Sequence, residues 1–193
     1  MKLSNLLLIY FGIIFSCNAF SEEFIAHGVR LEVPSGFNEI NLDQPKKDGY
    51  SVHSFVRKIN GKPVTAIHVY ITVLTDEQIS LGVTLTKNPA LLASQFCLVV
   101  AINDLRGVMK NLLIAEGHEI SLSGKIGSMV VVSGIADTPR DKKFGIDKTL
   151  SRIYCVSEPS REIQFHIHSF NDQPADLVNE AIRSIDGVVI TDK

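Results

Sequence analysis

Asn60-Gly61 stands between two runs, residues 50–59 and 62–74, that alternate apolar and polar in strand fashion. Asn and Gly both tolerate the positive φ of a type I′ turn, whose twist matches that of the strands it joins. The pair therefore commits the chain to an antiparallel hairpin. With a two-residue turn, Ile59 faces Lys62, and counting back sets Val56 against Thr65, Ser54 against Ile67 and Val52 against Val69 on an apolar face. The same count sets His53 against His68 and Ser51 against Tyr70 on the other face.

The rest of the chain supplies partners for that hairpin. Residues 24–33 read as one or two short strands interrupted at His27-Gly28, followed by a turn at Pro34-Ser35-Gly36 and a polar loop over 38–49. Residues 75–87 form a connector with a turn of helix near 76–80. Residues 88–117 then read as one long helix, with Asn88 as N-cap, Pro89 at the first helical position and Gly117 at the end. Its stripe of Leu91, Leu98, Leu105 and Leu112, with Ile102 and Met109 beside it, belongs on a sheet. The opposite side is apolar only early, at Leu92, Phe96 and Val100. Either the connector covers those three residues, or they form a patch for a partner or a second copy of the chain.

Two further hairpins follow. Residues 119–123 and 128–136 flank a turn at 124–127, and residues 149–157 and 161–170 flank Glu158-Pro159-Ser160. A three-residue loop in the last hairpin pairs Ile153 with Phe165 and Cys155 with Ile163, which keeps the apolar side chains together. It leaves Arg152, Tyr154, Gln164, His166 and His168 on the opposite face, where Tyr70, Arg152 and Tyr154 could serve a ligand. Residues 137–148 are a charged loop whose Arg140, Lys142, Lys143 and Lys148 suit an acidic partner or membrane surface, diluted by Asp137, Asp141 and Asp147. An amphipathic helix over 174–185 buries Leu177, Val178, Ala181, Ile182 and Ile185, with Asp172 as cap and Gly187 as stop. Residues 188–191 form a last strand or tail. Hairpins in series with helices between them define an α+β fold: an antiparallel sheet packed against one long central helix and a C-terminal helix, as an α/β sandwich.

The 193 residues support a single α+β domain over 20–193, and a formal net charge of -2 excludes a general nucleic-acid binder. Residues 1–19 have the pattern of a secretory signal: Lys2, an apolar run over 6–15, and cleavage near Ala19 or Ser21. The run is too short to span a bilayer, so the mature chain has no expected transmembrane span. Two other readings are lipid attachment at Cys17, against which the bulky Phe15 counts, and a buried N-terminal helix. The expected location is the periplasm or the extracellular space. Removing the signal leaves Cys97 and Cys155, which fit either a disulfide or two buried thiols.

The stretch Gly28-Val29-Arg30-Leu31-Glu32-Val33-Pro34-Ser35-Gly36-Phe37 is similar to the strand and Pro-x-Gly-aromatic turn that opens many members of the PsbP-like fold group. The order of elements through to the final helix resembles that group too, and DcrB-like secreted members most. The tryptophan that many relatives carry after the turn is absent. The resemblance implies a protein that binds partners or stabilises complexes, and it carries over no catalytic residue.

His53, His68, His166 and His168 are the residues with chemistry to offer. If the first and third hairpins are neighbours, four imidazoles line one surface with Tyr70 and Tyr154, a set that suits zinc, copper or nickel. A half-exposed sheet face tolerating His and Tyr explains the same pattern. His118-Glu119 begins like a zincin, but Leu122 stands where the second histidine belongs. A Cys155–His nucleophile is disfavoured by the register above. The chain thus reads as a non-catalytic periplasmic or secreted protein that binds or stabilises an envelope protein partner. The alternative is a small-ligand or metal carrier using the histidine face, with zinc as the candidate cofactor; a hydrolase without a recognisable motif is the remaining enzymatic reading.

Overall fold

The structure is a computed structural model and describes residues 21–41, 49–75 and 89–192. The signal segment with Cys17 and Ala19, the Asn88 cap and the helical turn expected near 76–80 lie outside the described residues. The chain runs β1 (Glu22–Ala26), β2 (Val29–Val33), β3 (Phe37–Glu39), β4 (Tyr50–Ile59), β5 (Lys62–Val73), α1 (Pro89–Arg106), β6 (Met109–Leu122), β7 (Lys125–Ala136), α2 (Pro139–Phe144), β8 (Lys148–Glu158), β9 (Arg161–Phe170), α3 (Ala175–Asp186) and β10 (Val189–Ile190). A seven-stranded antiparallel sheet has the order β3-β4-β5-β9-β8-β7-β6, and β1, β2 and β10 form a second sheet of three strands. This is an α+β fold.

Three hairpins close through pairs with positive φ: His27 and Gly28 at 47° and 78°, Asn60 and Gly61 at 51° and 75°, Ser123 and Gly124 at 53° and 74°. The central strands β8 and β9 of the large sheet are buried on both faces, whereas the edge strand β6 is largely exposed. One face packs Phe55, Ile67, Val69, Met129, Val131, Tyr154 and Phe165 against the small sheet and against Ala181 and Ile185 of α3. The other face packs Val130, Val132, Ile153 and Cys155 against Cys97, Ala101 and Leu105 of α1. A disulfide between Cys97 and Cys155, with Cα atoms 6.1 Å apart, ties α1 to β8. Ser94 Oγ, 2.8 Å from Ser128 Oγ, adds a hydrogen bond from α1 to β7.

Five expectations need correction. The helix ends at Arg106, and Gly107 and Val108 turn the chain through N–H bonds to the carbonyls of Asp104 and Leu105. Met109 and Leu112 therefore lie on β6, and Gly117 sits within that edge strand rather than capping a helix. In the first hairpin the Ile59–Lys62 pair holds, but a bulge between Arg57 and Lys58 shifts everything beyond it. Ser54 now faces His68, His53 faces Val69, and Tyr70 faces Val52. In the last hairpin Pro159 and Ser160 alone make the turn, so Ile153 pairs with His166, Cys155 with Gln164 and Tyr154 with Phe165. Lastly, residues 139–144 of the charged loop form α2, with Thr138 and Asp141 in a reciprocal capping box and Gly145 in the left-handed conformation after it. Asp172 does not cap α3; it lies 3.5 Å from Lys148.

Candidate functional site

The corrected registers bring three of the four histidines together. β5 pairs with β9, so His68 stands directly opposite His166, with His168 diagonal to it and Tyr70 opposite Gln164. Alternate residues of adjacent strands share a face, and this is the face on which α1 lies. Ring centroids are 5.1 Å apart for His68 and His168, 5.8 Å for His166 and His168, and 4.6 Å for Tyr70 and His166. His53 projects from the opposite face, its ring tilted against Phe24 with centroids 4.6 Å apart and its Nδ1 3.1 Å from Glu39 Oε1. Arg152 and Tyr154 also belong to that opposite face, Tyr154 within its core. Of the expected ligand residues, Tyr70 alone joins the imidazoles.

Each imidazole is anchored through one nitrogen. Ser54 Oγ lies 2.7 Å from His68 Nδ1, and Ser151 Oγ lies 2.8 Å from His168 Nδ1. Glu162 Oε1 accepts from the Gln164 amide nitrogen at 2.9 Å, which turns the amide oxygen toward His166 Nε2, also at 2.9 Å. A carbonyl oxygen only accepts, so His166 carries its proton on Nε2. Burial pushes His68 down to about 4, helped by the nearby Arg140 cation, and pushes His166 down to about 3, helped by His68. Burial likewise holds His168 well below the ordinary histidine range. Burial raises Tyr70 to about 12, with Tyr50 and Asp104 adding to it. At neutral pH the cluster is thus uncharged: three imidazoles and a phenol, all capable of hydrogen bonding. Among the described residues, no group of three or more His, Cys, Asp or Glu side chains is arranged to hold a metal ion.

The cluster forms the floor of two adjoining cavities. One, of about 380 Å³, lies between the end of α1 and α2 and is lined by Ala66, His68, Tyr70 and His168 from the sheet, Leu105 and Met109 from the α1 side, and Phe144 from α2. The other, of about 560 Å³, shares Tyr70, Leu105 and His168 with the first and adds Asp104, Gln164 and His166. Such volumes suit a small ligand. The α2 wall is the part that sequence reading missed. Its signal was present as Thr138-Pro139-Arg140-Asp141, a cap residue, a proline at the first helical position and an acid at the third. The patch residues on α1 divide: Leu92 is half-buried, whereas Phe96 and Val100 are 59% and 55% exposed.

The architecture is that of the PsbP-like group of folds. Among solved structures, the chain is similar to the cyanobacterial PsbP of Synechocystis, at 11% identity and TM-score 0.60, over 92% of this chain and 96% of that one. It is also similar to LpqN of Mycobacterium tuberculosis, a protein involved in cell envelope biogenesis, at 16% identity and TM-score 0.54, over 90% of this chain and 92% of that one. A variant of the protein Mog1 aligns at 12% identity and TM-score 0.52, over 90% and 97% of the two chains. No family model matches the sequence, and no curated protein matches it. At these identities the likeness is one of fold. Among the described residues, no helix is long and apolar enough to cross a membrane.

Proposed function

We propose that this is a non-catalytic periplasmic or secreted binding protein that engages a component of the cell envelope through the helix-side face of its large sheet. The observation that carries the reading is the cavity floor of neutral imidazoles, each held in place by a serine or glutamine. Such groups are preorganised to accept and donate hydrogen bonds at fixed positions, which is what a binding site requires. The signal-like N-terminus, the disulfide and the fold shared with the envelope-biogenesis protein LpqN support the location. Native mass spectrometry of the mature protein, purified from its own envelope fraction, tests the reading. The expected result is a non-covalent adduct of one small molecule per chain that His168→Leu reduces. A bare chain mass, with a protein partner captured equally well by wild type and His168→Leu, would move the function off this face.

A protein partner is the second reading, favoured by Phe96, Val99 and Val100, which are exposed along α1, with Val100 at the edge of the larger cavity. Because these side chains are exposed, Phe96→Asp should change stability by less than about 0.5 kcal/mol. It should abolish capture of an envelope protein, or self-association in gel filtration, if the patch is an interface. Unfolding of the variant would show that Phe96 belongs to the core.

A further inference from the structure

We propose that the cavity between α1 and α2 binds an anionic amphiphile, a single-chain molecule whose apolar body lies along Leu105, Met109, Phe144 and Ile146 and whose one acid group sits between Lys58 and Arg140. The proposal rests on the reading of this face as a binding site and adds the class of ligand.

The lining has two chemistries. Its walls are hydrocarbon, from Leu105, Val108 and Met109 on one side to Phe144, Ile146 and Phe170 on the other. Its charged groups are Lys58, Arg140 and Asp141. Asp141 is already engaged: its Oδ2 accepts from the Thr138 hydroxyl at 2.6 Å and from the Thr138 N–H at 3.3 Å. Its neighbours Lys142 and Lys148 are engaged as well, with Asp137 at 3.2 Å and Asp172 at 3.5 Å. Lys58 and Arg140 are exposed and have no ion-pair partner among the described residues. The lining of an apolar cavity thus carries two cations with no ion-pair partner among the described residues.

The floor completes the match. When the Ser54 and Ser151 hydroxyls donate to Nδ1, the far nitrogens of His68 and His168 carry the protons. Together with the Tyr70 hydroxyl they offer donors to acceptor oxygens. Arg140 lines the same cavity as His68, and its cation helps to keep that ring neutral. A neutral or cationic head would leave Lys58 and Arg140 unmatched, and a bare inorganic anion would leave the hydrocarbon walls facing water.

Calorimetric titration of the mature protein at pH 7 with decanoate, decanol and decyltrimethylammonium tests the class. Decanoate is expected to bind at one molecule per chain, with decanol at least about tenfold weaker and the ammonium undetected. Lys58→Gln with Arg140→Gln, both at exposed positions, should weaken decanoate by at least about tenfold and leave decanol unchanged. Decanoate should also shift the imidazole resonances of His68 and His168. Decanol binding as tightly as decanoate, with those resonances moved, overturns the anionic class and leaves the binding face standing. Decanoate bound with both imidazoles unmoved overturns the location. Binding by none of the probes also overturns the proposal, and the binding face itself falls only if the native-mass measurement is empty too.

Discussion

Arg161 is among the largest fully buried side chains, at 1% exposure. Its guanidinium donates to Glu158 and to the backbone carbonyls of His27 and Thr191, so one residue joins the β8–β9 turn, the β1–β2 turn and the segment after β10. A Cβ at Gly28 would meet Arg161 Nη1 at 2.6 Å, and Gly28 also takes a positive φ, so glycine is required there twice over. Replacing Arg161 with Met removes the guanidinium from the His27 and Thr191 carbonyls and from Glu158, which keeps Lys125 at 2.9 Å, and should cost about 3 kcal/mol in urea unfolding. Arg57, 2.5 Å from Glu180 but partly solvated, is the control: Arg57→Met should cost less than about 1 kcal/mol. The imidazoles give a second residue-scale expectation. A base whose folded pKa is depressed binds fewer protons folded than unfolded, so its stabilising effect is complete above about 6.5 and declines as the pH falls. For His68 the decline runs to about 4 and for His166 to about 3, at up to about 1.4 kcal/mol per pH unit for each ring. The urea midpoint should therefore fall steadily from pH 6.5 to 4; a flat profile contradicts the burial.

At the scale of elements, the hairpin turns were legible because Asn60-Gly61 and His27-Gly28 declare their backbone conformation in their own chemistry. Registers were less so. The bulge after Arg57 inserts one residue that no local signal announces, and it moves His53 to the opposite face from His68. In β8 and β9 both faces are buried, so apolar alternation offers no vote between registers one residue apart. The leucine stripe of α1 continues into Leu112 by coincidence of spacing. Leu112 still packs on the α1-side core, but from β6, beyond the stop that Gly107 provides. The C-terminal helix was readable because its buried stripe and Gly187 agree with one another. The disulfide is an element-scale device, anchoring α1 where Leu105 lines both cavities. It spans 58 residues, and its removal should cost about 4 kcal/mol on the chain-entropy account. Urea unfolding with and without reductant checks this. Two titratable thiols in the unfolded, unreduced protein would contradict the bridge.

For the whole molecule, the decisive feature is that one sheet serves two layers differently. One face is sealed by the small sheet and α3, while the other carries α1 on β7 and β8 and the imidazole floor on β5 and β9. The side chains placed on that division give the binding reading. Site-resolved titration of the histidine side chains by NMR in the mature protein is the most direct measurement. Half-protonation of His68 near pH 4 and of His166 near pH 3, with His166 protonated on Nε2 at pH 7, is the result this arrangement requires. Titration of both rings at the ordinary value near 6.5, with no preferred tautomer for His166, would mean that no preorganised floor exists.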